Sequence, residues 1–108
     1  MYRLRHYIYL VLIFVSTAVE AKTFIVSGKV IDESNEPMEF VSVRISGTMN
    51  GALTNEKGLF SIEAPSRDTA EVVISYLGYE TVKRRLIEPE GEIKLNVRLS
   101  LVKMVLFG

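Results

Sequence analysis

From Thr23 onward apolar and polar residues alternate with a period of two, and no window carries a helical period. In "TFIVSGKVI", Phe24, Val26 and Val30 fall on one face, with Ile25, Ser27 and Lys29 on the other. "FVSVRI" sets Val41, Val43 and Ile45 against Ser42 and Arg44, and "LFSIEA" sets Phe60 and Ile62 against Ser61 and Glu63. "EVVISYLGYETVKRRLI" predicts two strands joined at Gly78, with Val72, Ile74 and Tyr76 on one side and Val82 and Leu86 continuing inward. The cleanest alternation is "EIKLNVRLS": Ile93, Leu95, Val97 and Leu99 face away from Lys94, Asn96 and Arg98. Many of these positions are β-branched, which suits a pleated, half-buried surface.

Turn chemistry separates the runs. Asp32–Pro37 has side chains that bond the local backbone and a proline that fixes φ, while "PSRDT" and "EPEGE" mark two further turns. The stretch Ser46–Ile62 holds Gly47, Gly51 and Gly58 and raises the question of a phosphate-binding loop. Neither G-x-G-x-x-G nor G-x-x-x-x-G-K-[ST] is present, and no helix pattern follows. The glycines are therefore turns: Asn50-Gly51 predicts a tight hairpin, and Gly58 a left-handed residue closing a longer hairpin turn. About seven short strands at this spacing predict an all-β protein, a seven-stranded β-sandwich.

The first 21 residues break this pattern. Arg3 and Arg5 precede an uncharged run from Ile8 to Val19, and Val19 and Ala21 fit the small-residue positions before a cleavage site. This predicts a secretory signal peptide over 1–21, cut after Ala21 or, as second choice, after Ala18, and so an exported protein. The rival is a membrane anchor, but spanning takes about 20 apolar residues and this run stops at Glu20. The sandwich is placed at 22–100. A hydrophobic tail, 101–108, leaves no polar face for a surface strand. Without cysteine the domain must be stabilised by its core rather than by disulfides.

From Lys22 onward eleven basic side chains stand against twelve acidic ones, which gives no electrostatic footprint for nucleic acid. The one histidine is His6, within the predicted signal, so the remainder lacks the usual general base, zinc ligands and thiol nucleophile. No catalytic, cofactor or metal site is predicted. Glu88, Glu90 and Glu92 cluster as paired carboxylates would, but they belong to a single Pro/Gly turn and are taken as solvated. "DESNE" from Asp32 to Glu36 offers oxygen ligands for calcium without the register of an EF-hand loop, and is taken as a plain turn. Lys83–Arg85 is expected on a solvated edge strand. Tyr76 and Tyr79 are candidates for stacking a sugar or a base.

The run from Val26 to Pro65, "VSGKVIDESNEPMEFVSVRISGTMNGALTNEKGLFSIEAP", resembles the carboxypeptidase-regulatory-like domain in its V-x-G-x-V, G-T-x-x-G and G-x-[FY]-x-[IL] anchors. "VISYLGYET" is similar to that family's later F-S-Y-x-G-Y-x-T signature. One departure is Glu39-Phe40, where the family often has Pro-Gly before the second strand. The resemblance implies a transthyretin-like seven-stranded β-sandwich without catalytic activity. It also implies a common setting: the N-terminal periplasmic extension of SusC/RagA-type TonB-dependent outer-membrane receptors. "KMVLFG", Lys103–Gly108, looks like the linker segment of such receptors, with Lys103 where glutamate is usual.

The expectation is thus a non-enzymatic sandwich at the periplasmic face of the outer membrane, whole or as the front end of a receptor cut short, working by protein–protein contact. A TonB-type energy-transducing protein or the receptor's own plug and barrel would be the partner. Met104, Val105, Leu106 and Phe107 are the expected contact residues, adding a strand to a partner's sheet edge. The alternative is a stand-alone exported module for carbohydrate binding or adhesion, using exposed tyrosines such as Tyr79. A transthyretin-like hydrolase would require histidines that residues 22–108 lack.

Overall fold

The computed structural model describes residues 22–103; the proposed signal peptide and the tail residues Met104–Phe107 lie outside the described residues. Within them the chain forms seven strands: β1 (Thr23–Ile31), β2 (Ser42–Ile45), β3 (Gly51–Leu53), β4 (Leu59–Pro65), β5 (Thr69–Ser75), β6 (Val82–Ile87) and β7 (Gly91–Arg98). They build a three-stranded sheet ordered β4-β1-β7 and a four-stranded sheet ordered β3-β2-β5-β6. The expected all-β sandwich is what the chain forms.

The alternation places the core as anticipated. Phe24, Val26, Val30, Phe60, Ile62, Val97 and Leu99 from one layer meet Val41, Val43, Ile45, Val72 and Ile74 from the other, all buried. Each such side chain contributes roughly 1.5–3 kcal/mol of transfer free energy, so this layer of contacts is the main stabilising term in a chain without disulfides. At Gly28, an inward position of β1, an added Cβ would fall 1.6 Å from the Leu95 carbonyl oxygen, so the β7 backbone closes onto β1 where only hydrogen fits.

Two features lay beyond the alternation. The first and last strands are neighbours and parallel, Phe24 pairing with Gly91 through to Ile31 with Arg98. Val73, on the outer face of β5, is nevertheless buried. Its cross-strand partners on that face are Arg44 and Lys83, residues whose long aliphatic stems can cover an apolar neighbour while the charge stays in water.

Three local expectations need correction. The β2–β3 hairpin exists, but Asn50-Gly51 is not its tight turn: Gly51 pairs with Arg44 as the first residue of β3. The reversal spans Ser46–Asn50, with Gly47 at φ 74° and the Thr48 hydroxyl donating to Ile45 O and accepting from Asn50 N–H. The side chain thus reinforces the backbone bonds that close this longer reversal, Ile45 N–H to Asn50 O at 3.0 Å and Thr48 N–H to Ile45 O at 3.2 Å. Second, Gly58 is left-handed as expected, at φ 74°. The Asn55–Gly58 turn does not close a hairpin, however; it carries the chain from one sheet to the other and is fixed to β1 by Val30 N–H donating to Gly58 O at 2.8 Å. Third, β5 ends at Ser75, so Tyr76 does not continue the inward row and is 38% exposed. Tyr79 N–H donates to Tyr76 O, and Gly78 at φ 88° turns the chain there.

Candidate docking surface

The end of the four-stranded sheet where β2 begins and β5 finishes collects exposed apolar side chains. Ser42 pairs with Ser75 on one side and Leu53 on the other, so Phe40, Leu53, Tyr76 and Leu77 share this end. Leu77 is 94% exposed and Phe40 63%. Phe40 also holds φ 62°, a left-handed conformation that costs a bulky residue roughly 1–2 kcal/mol. It occupies the position where the family resemblance anticipates glycine. Its N–H donates to Thr54 O, and the next amide, Val41 N–H, donates to Thr54 Oγ1 at 3.0 Å. Thr54 Oγ1 in turn donates to Met38 O. Thr54 is the one buried polar side chain among the described residues, and it straps the Met38–Val41 segment to the core.

The chain leaves the sandwich at this same end, along a defined path. Leu99 N–H donates to Ile31 O, Glu80 N–H to Ser100 O, and Val102 N–H to Gly78 O. The Glu33 carboxylate accepts from Leu101 N–H at 2.9 Å, and Arg98 donates to Asn35 Oδ1 and Glu33 O. The exit is therefore clasped between the Asp32–Glu36 turn and the Tyr76–Tyr79 turn. Leu101 and Val102 stay half-exposed beside Leu77. Sequence reasoning missed Glu33, because a carboxylate in a polar turn carries no sign of a partner 68 positions away.

The other sequence candidates fall as follows. Asp32 Oδ1 accepts from Ser34 N–H and Glu36 N–H, so its charge organises the turn itself. No group of three His, Cys, Asp or Glu among the described residues is placed to hold a metal. Glu88 and Glu90 line an open depression with Lys22, Arg67 and Asp68, whereas Glu92 accepts from Ser27 Oγ on the outer face of β7. The three carboxylates are not brought across a cleft. Tyr76 and Tyr79 meet edge to face, centroids 5.7 Å apart at 66°, an arrangement that aromatic quadrupoles favour. The contact residues expected in the tail, Met104–Phe107, are outside the described residues.

The family model for the CarboxypepD_reg-like domain matches residues 26–105. The chain belongs to this family. The match to the CarboxypepD_reg-like domain covers most of β1, all of β2–β7 and the exit as far as Lys103 and beyond. No curated protein matches the chain. Among solved structures, this CarboxypepD_reg-like domain is similar to 3-chlorocatechol 1,2-dioxygenase from Rhodococcus opacus 1CP: TM-score 0.60, 13% identity, 80% of this chain and 62% of that one. Catechol 1,2-dioxygenase from Acinetobacter sp. ADP1 gives TM-score 0.63 at 9% identity, over 82% and 55%. A cohesin–X-dockerin complex mutant from Acetivibrio cellulolyticus gives 0.60 at 22%, over 70% and 56%. The chain spans little more than half the length of these solved chains, and identities this low show a shared fold alone.

Proposed function

We propose that this CarboxypepD_reg-like domain is a non-catalytic, exported module that works by protein–protein contact, as the N-terminal periplasmic extension of a TonB-dependent outer-membrane nutrient receptor. The clasped exit carries the reading. Glu33, Glu80 and Gly78 direct the backbone past Leu101 and Val102 into the apolar end made by Phe40, Leu53 and Leu77. Exposed apolar side chains gathered at one end of a sheet fit an interaction site better than a solvated surface. The tail Met104–Phe107 continues from that point and would pair with a partner's sheet edge, either a TonB-type protein or the receptor plug.

Binding of the chain to the periplasmic domain of a TonB-type protein and to an isolated plug domain tests this. Binding to either is expected, lost on Val105→Pro and weakened at least tenfold by Leu77→Asp. Absence of binding to both, or affinity unmoved by both substitutions, overturns it. The stand-alone carbohydrate-binding alternative has the exposed Tyr76 in its favour, but Tyr79 is partly buried against the core and the edge-to-face packing of the two leaves no flat two-ring platform for a sugar. Glycan binding lost in Tyr79→Ala would restore that alternative.

A further inference from the structure

Each sheet of the sandwich ends in two free edges, β3 and β6 in one and β4 and β7 in the other, and three of these are guarded against pairing with another chain. β3 is only three residues long. β4 is capped by side chains: Asn55 Oδ1 accepts from Leu59 N–H, and Asn50 Nδ2 donates to Glu63 O at 2.8 Å. β6 carries the run Lys83, Arg84 and Arg85, which repels a copy of itself. Among the described residues, β7 shows neither a cap nor a run of one sign: Glu92, Lys94, Asn96 and Arg98 follow one another along its outer face.

The direction of the β7 backbone groups follows from the residues at its end. Leu99 N–H donates to Ile31 O at 2.9 Å, so the odd-numbered residues turn their backbone groups toward β1. One residue on, Ser100 O accepts from Glu80 N–H on the opposite side at 2.8 Å. By alternation Glu92, Lys94, Asn96 and Arg98 direct N–H and C=O away from β1, along the free edge. Gly91, at φ 62°, turns the chain at one limit of this stretch, and the Ser100–Glu80 bond closes it at the other. Leu95 stands at its midpoint. It points inward with Ile93, and both are only half-buried on the core.

We infer that β7 pairs with β7 of a second copy of this chain, antiparallel and two-fold symmetric about Leu95, joining the two three-stranded sheets edge to edge. In this register Glu92 faces Arg98 of the copy and Lys94 faces Asn96, each pair occurring twice. Sliding the copy by two residues sets Lys94 against Lys94 in one direction and against Arg98 in the other, so charge selects the centred register. Both charged partners have capacity to spare. Ser27 engages one oxygen of Glu92, and Arg98 reaches Asn35 Oδ1 and Glu33 O with two of its nitrogens. On the inner face Leu95 would meet its copy, and Ile93 would meet Val97 of the copy, at the non-hydrogen-bonded positions where side chains come closest. The cations of β6 confine the pairing to the three-stranded layer. The pairing uses no residue of the chain exit, and its failure leaves the reading of the exit untouched.

Sedimentation equilibrium of the full chain, from micromolar to millimolar, is the test, and a monomer–dimer equilibrium is expected. Glu92→Arg and Arg98→Glu, both at exposed positions, each turn the two attractive pairs into repulsive ones. Each alone should weaken dimerisation about tenfold or more. An equimolar mixture of the two variants restores both pairs between unlike chains and should dimerise as tightly as the parent, a result that misfolding of either variant does not produce. In the parent, the amides of Lys94 and Asn96 should gain protection from hydrogen exchange as concentration rises, while those of Lys83 and Arg85 should not. A monomer at millimolar concentration, dimerisation unmoved by either variant, a mixture no tighter than the single variants, or protection confined to other strands each overturns the inference.

Discussion

Replacing Thr54 by valine removes one hydroxyl and almost no volume, and so isolates the strap that holds the Met38–Val41 segment. The hydroxyl accepts from Val41 N–H and donates to Met38 O, both deep in the sandwich. Valine orphans both backbone groups, at roughly 1–3 kcal/mol for each buried unsatisfied partner. The extra buried methyl returns about 0.8 kcal/mol, so a net loss of ~2–3 kcal/mol is expected. For a domain of this size that is about a sixth or more of a total near ~4–12 kcal/mol. At about 4–8 °C per kcal/mol, Tm should fall by ~10–20 °C. Thr54→Ser keeps the hydroxyl and loses one methyl, so it should cost only ~1 kcal/mol. Urea unfolding of the three proteins, with equal slopes as the condition for comparison, gives the values. If Thr54→Val unfolds within 1 kcal/mol of the parent, or less readily than Thr54→Ser, the strap is not what holds this segment.

Gly28→Ala should destabilise by at least ~3 kcal/mol, since no alanine Cβ coexists with the Leu95 carbonyl and β7 must move away; a urea midpoint near that of the parent would contradict the close approach. Phe40→Gly relieves a left-handed phenylalanine that buries little, and a rise of ~0.5–1 kcal/mol in unfolding free energy is expected. A fall would show that the ring contributes more to the fold than its exposure implies. Glu33→Ala should free the chain exit while changing global stability by less than ~1 kcal/mol. Amide exchange at Leu101 is the measurement, and undiminished protection there would mean the Glu33 clasp is dispensable.

Positions whose placement depends on one strand alone were legible. Phe24, Val26, Phe60, Ile62 and Val97 are buried because period-two alternation sorts side chains between core and water. What depends on pairing was not. The parallel contact of β1 with β7 joins residues more than sixty positions apart, and nothing local in either strand states it. Val73 was passed over because its burial depends on neighbouring strands, where it is paired with Arg44 and Lys83. Asn50-Gly51 misled because its strong turn preference was overridden by Thr48, whose hydroxyl closes a longer reversal. The solvated edge expected for Lys83–Arg85 is where β6 lies, and alternation alone sets Arg84 opposite its neighbours; only the strand order tells that this edge closes the four-stranded sheet. Of the site, Tyr76 and Tyr79 were visible in advance, whereas the apolar end and the Glu33 clasp arise from loops brought together by the sandwich.

The parallel pairing of first and last strands also has a mechanical consequence. β1 enters at the end where Phe24 meets Gly91, and β7 leaves at the other, where Ile31 meets Arg98. Tension applied between Lys22 and Lys103 would first peel the Tyr79–Leu101 bridge and then pull β1 and β7 lengthwise past each other. Eight residue pairs along ~25 Å of strand would then bear the force together, in shear, rather than opening one at a time. A module built this way resists a pull along its own chain far better than a hairpin unzipped from its open end. It would transmit a tug from one neighbour to the next without coming apart.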